Sequence, residues 1–105
     1  MEVTIEQWRE QIKANADAVI IDVRRQEEVD EGHMPKAIHI DVENPPQFME
    51  EAQKLDPNKS YYVYCKTGDR STQACMVLGA IGFNKVYKLD VGFDGWIENG
   101  GASES

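Results

Sequence analysis

A cysteine placed where an apolar run gives way to a short glycine-containing loop and then a helix can act as a nucleophile. Cys65 occupies that place, in the segment YCKTGDRSTQA. Successive main-chain N–H groups of such a loop, at the head of a helix, form a concavity that binds anions, and a thiolate is an anion. Lys66 and Arg70 add two cations against one acid, Asp69, so the loop carries one net positive charge inside a chain whose net charge is −8. Thiols in such settings have pKa values lowered from about 8.5 to about 3.5–7.5. The sequence therefore predicts a reactive thiolate at residue 65. The competing reading is a small hydrophobe closing a core strand, the usual fate of a free cysteine; the composition of the loop argues against it.

The elements that must position this loop follow from local pattern. Thr4 with Gln7 three residues on is a capping box, and Ile5, Trp8 and Ile12 fall at helical spacing, so residues 5–14 form an amphipathic helix. Residues 18–23 (AVIIDV) and 61–64 (YYVY) are continuous apolar runs, the pattern of strands covered on both faces. Residues 37–40 and 86–89 are weaker strand candidates. Helical candidates lie at 26–31, 47–54 and 72–81, with Glu27 and Glu28 suited to a helix start and Gly, Pro and Asn between the segments. This alternation favours a parallel sheet between helices, with ligands beyond the carboxyl ends of the strands. Two strands deliver chemistry there: one ends in Asp22 and Arg24, the other in Cys65.

Whole-chain properties narrow the options. At 105 residues, 41% hydrophobic and 29% charged, the chain fits one domain over residues 1–99 and a flexible, glycine- and serine-containing tail over 100–105. Acids outnumber bases 19 to 11, which argues against nucleic acid as a partner. No run approaches the roughly 18 apolar residues of a membrane span, and the start, MEVTIEQWRE, lacks the features of a signal peptide. Two cysteines are too few for a disulfide framework and have no companions at metal-ligand spacing. A soluble protein of the reducing cytoplasm is expected, without membrane or metal.

Residues 65–71 (CKTGDRS) resemble the active-site loop of the rhodanese family, whose single-domain members commonly read C-x-x-G-x-R-S. Three further matches fall in the right order: Asp22-Val23-Arg24, then Gly32-His33-Met34-Pro35 with Ala37, then Gly92-Phe93-Asp94-Gly95-Trp96. Together they span roughly residues 4 to 98. The resemblance implies a three-layer α/β/α fold with a central, mostly parallel sheet of about five strands. It also implies a sulfurtransferase in which Cys65 takes the outer sulfur of a donor such as thiosulfate as a persulfide and passes it to a thiophilic acceptor, cyanide or a thiol, including a protein thiol. No cofactor is implied. On this reading Lys66, Thr67, Gly68, Asp69, Arg70 and Ser71 surround the substrate, Arg24 faces the site mouth, and Asp22 fixes neighbouring loops. His33, in the G-H-x-P segment, and His39, on a strand, serve the fold.

Two departures from the family pattern touch loop geometry: Lys36 stands where glycine usually follows G-H-x-P, and Val91 where a second glycine usually precedes Gly92. Phe93 and Trp96 are expected to pack the last helix onto the sheet, each worth about 3–5 kcal/mol if truncated to Ala. Cys75 lies about 7.5 Å along the following helix, beyond the reach of a disulfide, and borders the stripe Ala74, Val77, Leu78, Ile81, so it is read as core. Two other functions fit less well. A binding module of rhodanese shape would not need Cys65, and a phosphatase or arsenate reductase would need C-x5-R where this chain has C-x4-R.

Overall fold

A computed structural model describes all 105 residues. In chain order the elements are β1 (Glu2–Val3), α1 (Ile5–Ala14), β2 (Val19–Asp22), α2 (Gln26–Glu31), β3 (Ile38–His39), α3 (Pro45–Ala52), β4 (Ser60–Tyr64), α4 (Asp69–Ala80), β5 (Lys85–Leu89) and α5 (Gly92–Glu98). The five strands form one sheet in the order β1-β5-β4-β2-β3, and every pairing is parallel. The expected α/β class and five-strand sheet are therefore observed.

Period-two alternation along β4 divides the interior into two apolar layers. Tyr61, Val63 and then Cys65 face one layer with Ile21, Val23, Phe48, Ala74 and Leu78, so α3 and α4 cover that side. Tyr62 and Tyr64 face the other with Trp8, Leu89, Phe93 and Trp96, so α1 and α5 cover the opposite side. Trp8 meets Tyr62 and Tyr64 edge-on, with ring centroids at 5.5 and 6.2 Å, the geometry favoured by aromatic quadrupoles. Phe93 and Trp96 are buried, as expected.

Most elements fall where the pattern places them. The capping box at α1 is complete: the Gln7 amide donates to Thr4 Oγ1 at 3.2 Å and the Thr4 amide to Gln7 Oε1 at 2.9 Å. Helix α3 begins at Pro45, two residues before the expected start, because proline is tolerated in a first turn where no N–H partner is needed. Helix α4 begins at Asp69, three residues early, because Gly68 takes φ 121° and turns the chain into the helix directly. The two-residue strand β1 escapes pattern reading; it is created by pairing with β5.

Residues 100–105 were expected to fray, but they run back against the domain. Trp96 Nε1 donates to the Ala102 carbonyl at 2.8 Å, and His33 and Glu104 exchange two main-chain hydrogen bonds of 2.8 Å. Of the two departures, Lys36 adopts the left-handed conformation that glycine would take without strain, with φ 68°. Val91 needs no such freedom, sitting at φ −91° and ψ −5°. No helix is long and apolar enough to cross a membrane.

Candidate active site

The carboxyl ends of the parallel strands bring together the β4–α4 loop, the β2–α2 turn and the start of α5. Cys65 follows β4 directly and is 1% exposed. Its Sγ accepts hydrogen bonds from the amides of Gly68 at 3.0 Å and Ser71 at 3.3 Å, and lies 3.4 Å from Ser71 Oγ. Of the six amides in 66–71, these two reach the sulfur; those of Lys66, Thr67, Asp69 and Arg70 donate to no protein acceptor. The sulfur therefore lies at the N-terminal end of α4, where the helix dipole favours negative charge.

The loop is held in this shape by the Gly68 carbonyl. It accepts from Ser71 Oγ and Thr72 Oγ1, each at 2.9 Å, and from the Thr72 amide at 3.2 Å. Helix α5 braces it from the other side: the Phe93 amide donates to the Cys65 carbonyl at 2.8 Å and the Asp94 amide to the Lys66 carbonyl at 3.1 Å. This contact explains Gly92, at φ 64°. A Cβ there would overlap the Lys66 carbonyl group and stand 2.9 Å from the Thr67 nitrogen, so only glycine lets the helix approach so closely.

The cations of the site are engaged. Arg70 forks onto the Glu28 carboxylate at 2.6 and 2.9 Å and reaches Glu43 at 3.3 Å. Those bonds hold the Glu28 carboxyl down at about 2 and raise the Arg70 guanidinium above its ordinary value. Lys66 lies 3.6 Å from Asp94 in a mostly exposed pair, a geometry that contributes little. Thr67 and Asp69 are exposed, with Asp69 in the first turn of α4, and Ser71 is buried.

Arg24 does not offer a free guanidinium. It grips Asp22 through Nε and Nη2 at 2.7–3.2 Å, donates to the Gly32 carbonyl at 2.7 Å, and stacks 4.4 Å over Phe93. Tyr64 completes the buried network: its hydroxyl donates to Asp22 at 2.7 Å and accepts from the Met34 amide at 3.0 Å. Burial, with Asp22 beside it, raises the Tyr64 pKa and keeps that proton in place. Asp22 thus ties β2, β4 and the α2–β3 loop together. Even so, Arg24 lines a cleft of about 470 Å³ beside the loop, with Lys66, Glu28, Phe93, Asp94 and Ile97. His39 Nε2 lies 2.6 Å from the Arg24 carbonyl, and His33 Nδ1 2.9 Å from the Met34 carbonyl.

The model of the rhodanese-like domain family matches residues 4–99. The chain belongs to the rhodanese-like domain family. YtwF of Bacillus subtilis, provisionally named a sulfurtransferase, is 37% identical over 95 residues, which cover 90% of this chain and 88% of that protein. The thiosulfate sulfurtransferase GlpE of Pseudomonas syringae is 35% identical over 79 residues, covering 75% and 72%. A solved rhodanese-related protein of Thermoplasma volcanium superposes with a TM-score of 0.84 at 27% identity, covering 98% of this chain and 96% of that one.

Within this rhodanese-like domain, sequence reasoning missed Glu28, Glu43 and Asp94 as partners of the loop cations. It also missed Lys88, whose Nζ bonds Thr72 Oγ1 at 2.8 Å and Glu2 at 2.8 Å. Glu28 carried a local signal, an acid three residues after Arg25 at a helix start, and indeed Oε1 accepts from the Arg25 amide at 3.2 Å. The partners across the site carried none.

Proposed function

We propose that the chain is a sulfurtransferase that works through a persulfide on Cys65. The observation that supports this most directly is the pair of main-chain amides, from Gly68 and Ser71, that meet Cys65 Sγ at the head of α4. A nucleophile that carries the transferred group divides one difficult step into two and gives ping-pong kinetics.

In the first half, the Cys65 thiolate attacks the outer sulfur of the donor. A new S–S bond forms at Sγ, the donor's own S–S bond breaks, and its electron pair leaves with the inner sulfur. In the second, a thiophilic acceptor attacks the outer sulfur of the persulfide, and the Cys65 thiolate departs. Negative charge stays on or next to Sγ throughout. Fixed N–H dipoles aimed at that point stabilise it without reorganisation, and the amides of Lys66, Thr67, Asp69 and Arg70 have no competing protein acceptor. Lys66 and Arg24 line the cleft beside the loop, and Arg70, in the first turn of α4, is held on Glu28 at the cleft's edge. Small sulfane-sulfur donors and thiol or cyanide acceptors, a protein thiol among them, suit this chemistry, and a reducing cytoplasm suits its two free thiols, Cys65 and Cys75.

The test is direct: incubate with a sulfane-sulfur donor, digest, and measure mass at each cysteine peptide. One added sulfur on Cys65, discharged by cyanide as thiocyanate, is the expected result. No adduct with thiosulfate or with an organic persulfide overturns the reading.

A further inference from the structure

Four cations surround the Cys65 loop, and each already has a carboxylate. Lys66 lies 3.6 Å from Asp94, Arg70 is forked onto Glu28 with Glu43 behind it, Arg24 is closed on Asp22 at 2.7 Å, and Lys88 sits 2.8 Å from Glu2. The Glu28–Arg70 pair is ionised across the neutral range, since the hydrogen bonds from Arg70 hold the Glu28 carboxyl at about 2. The cleft beside the loop has Glu28, Glu31 and Asp94 against Lys66 and Arg24, so its lining is net negative. A dianion entering that cleft meets each carboxylate with twice the repulsion of a monoanion, and gains a cation only by drawing one away from its partner. The same cleft offers Phe93 and the half-exposed Ile97, apolar surface that suits an organic group.

Resting on the sulfurtransferase reading above, we propose that Glu28 and Asp94 are specificity-determining residues. By holding Arg70 and Lys66, they disfavour dianionic donors and select sulfane sulfur carried on a thiol, an organic persulfide R–S–SH. In that step Cys65 Sγ forms an S–S bond to the outer sulfur, the R–S–SH sulfur–sulfur bond breaks, and its electron pair leaves on R–S⁻. The proton travels with the transferred sulfur as Cys65–S–SH, R–S⁻ is protonated by solvent, and no external oxidant or reductant is consumed.

The experiment times the loading of one sulfur onto Cys65 by acid quench and intact mass, with thiosulfate or cysteine persulfide as donor and Cys65→Ser as background. Wild type is expected to load faster from the persulfide. In E28Q/D94N the ratio of thiosulfate to persulfide rate constants is expected to rise about 10-fold, the worth of a charge-assisted contact returned to an anion. D94N alone is expected to raise it about 3-fold, since its pair is exposed. Glu28→Gln keeps an oxygen for the Arg25 amide; if that variant nevertheless fails to fold, D94N carries the test. A ratio in the folded variants within about 2-fold of wild type for the double variant, or unchanged in D94N when it stands alone, overturns the proposal, as does faster wild-type loading from thiosulfate. Loading from both donors with an unmoved ratio removes only the specificity rule, whereas no loading from either removes the sulfurtransferase reading as well.

Discussion

Cys65 and Cys75 belong to the same loop-and-helix segment and touch the same apolar layer, yet their surroundings differ in kind. Cys65 precedes α4, and its sulfur receives two main-chain hydrogen bonds at the positive end of the helix. Cys75 lies within α4, and burial pushes its thiol up to about 11. Both are free, and both are shielded by protein. On the sulfurtransferase reading proposed above, what separates the two cysteines is not burial but the supply of fixed donors at the sulfur. A backbone that has already turned to point N–H groups at one atom stabilises an anion there, while apolar contacts can only penalise it.

The sharpest way to break the comparison is to remove each sulfur in turn. Cys65→Ser is expected to lower sulfur transfer by about 10³-fold or more, as loss of a nucleophile does, with melting temperature little changed. Cys75→Ser is expected to keep transfer within about 2-fold and to lose about 1 kcal/mol of stability through poorer packing. Iodoacetamide should label Cys65 first at neutral pH, while Cys75 labelling rises about tenfold per pH unit up to about 11. Equal labelling of both at pH 7 would show that the loop gives Cys65 nothing Cys75 lacks.

The next effect in size tests whether the donors at Cys65 depend on their brace. Gly92→Ala forces a side chain against the Lys66 carbonyl at a position with φ 64°. The cost expected is about 2 kcal/mol or more of unfolding free energy, from the left-handed conformation together with displacement of the loop backbone. Because the Phe93 amide bonds the Cys65 carbonyl, the loop should move with α5, and Cys65 labelling should slow relative to Cys75. Denaturant unfolding and competitive labelling measure the two consequences separately. An unchanged labelling ratio would detach the sulfur's environment from α5.

How much of this was legible in the sequence follows the range of each interaction. Cys65, Gly68 and Ser71 lie within seven residues, so the ring of contacts around Sγ could be anticipated from one loop. The capping box of Thr4 and Gln7, the limits of α2 and the two central strands were legible for the same reason: each is decided by neighbours in sequence. Strand β1 was not, because two residues become a strand only through what they pair with. The partners of Arg70 were hidden likewise. Glu28 reaches it only because β2 and β4 are adjacent and both deliver loops to one edge, and Glu43 only because the chain after β3 returns there. Of the successive N–H groups expected to form a concavity around the sulfur, two arrive in line, those of Gly68 and Ser71.

A smaller effect sharpens the electrostatic half of the contrast. Glu28 sits at about 2 in the fold against an ordinary 4.5, chiefly through hydrogen bonds from Arg70. A carboxylate whose pKa is depressed by folding contributes stability that is complete above about 4.5 and is lost as pH falls through about 2. Glu28→Gln is therefore expected to be about 1–3 kcal/mol less stable than wild type at pH 7. The gap should narrow below pH 4.5 and nearly close at pH 2. Urea unfolding of both proteins across that range measures it. A gap independent of pH would mean that the side chain's shape, and not its charge, holds Arg70 in place.

The smallest effect lies away from both cysteines and serves as their control. Lys36 holds φ 68° in a turn after Pro35, where a Cβ is crowded against the backbone and glycine is not. Lys36→Gly removes that strain but frees the unfolded chain, and the two terms oppose one another. Left-handed strain costs about 1–2 kcal/mol, against about 0.5–1 for the added unfolded entropy, so a net gain of about 0.5–1 kcal/mol is expected. Sulfur loading at Cys65 should stay as in wild type, since the Lys36 side chain has no hydrogen bond or ion pair to the loop or to α5. A stabilised protein with unchanged Cys65 reactivity would locate the site's properties in the β4–α4 loop and its brace, separate from the rigidity of the domain as a whole. A gain in stability accompanied by slower loading would instead tie the thiolate's reactivity to looseness elsewhere in the chain, and the contrast between the two cysteines would then lose its local explanation.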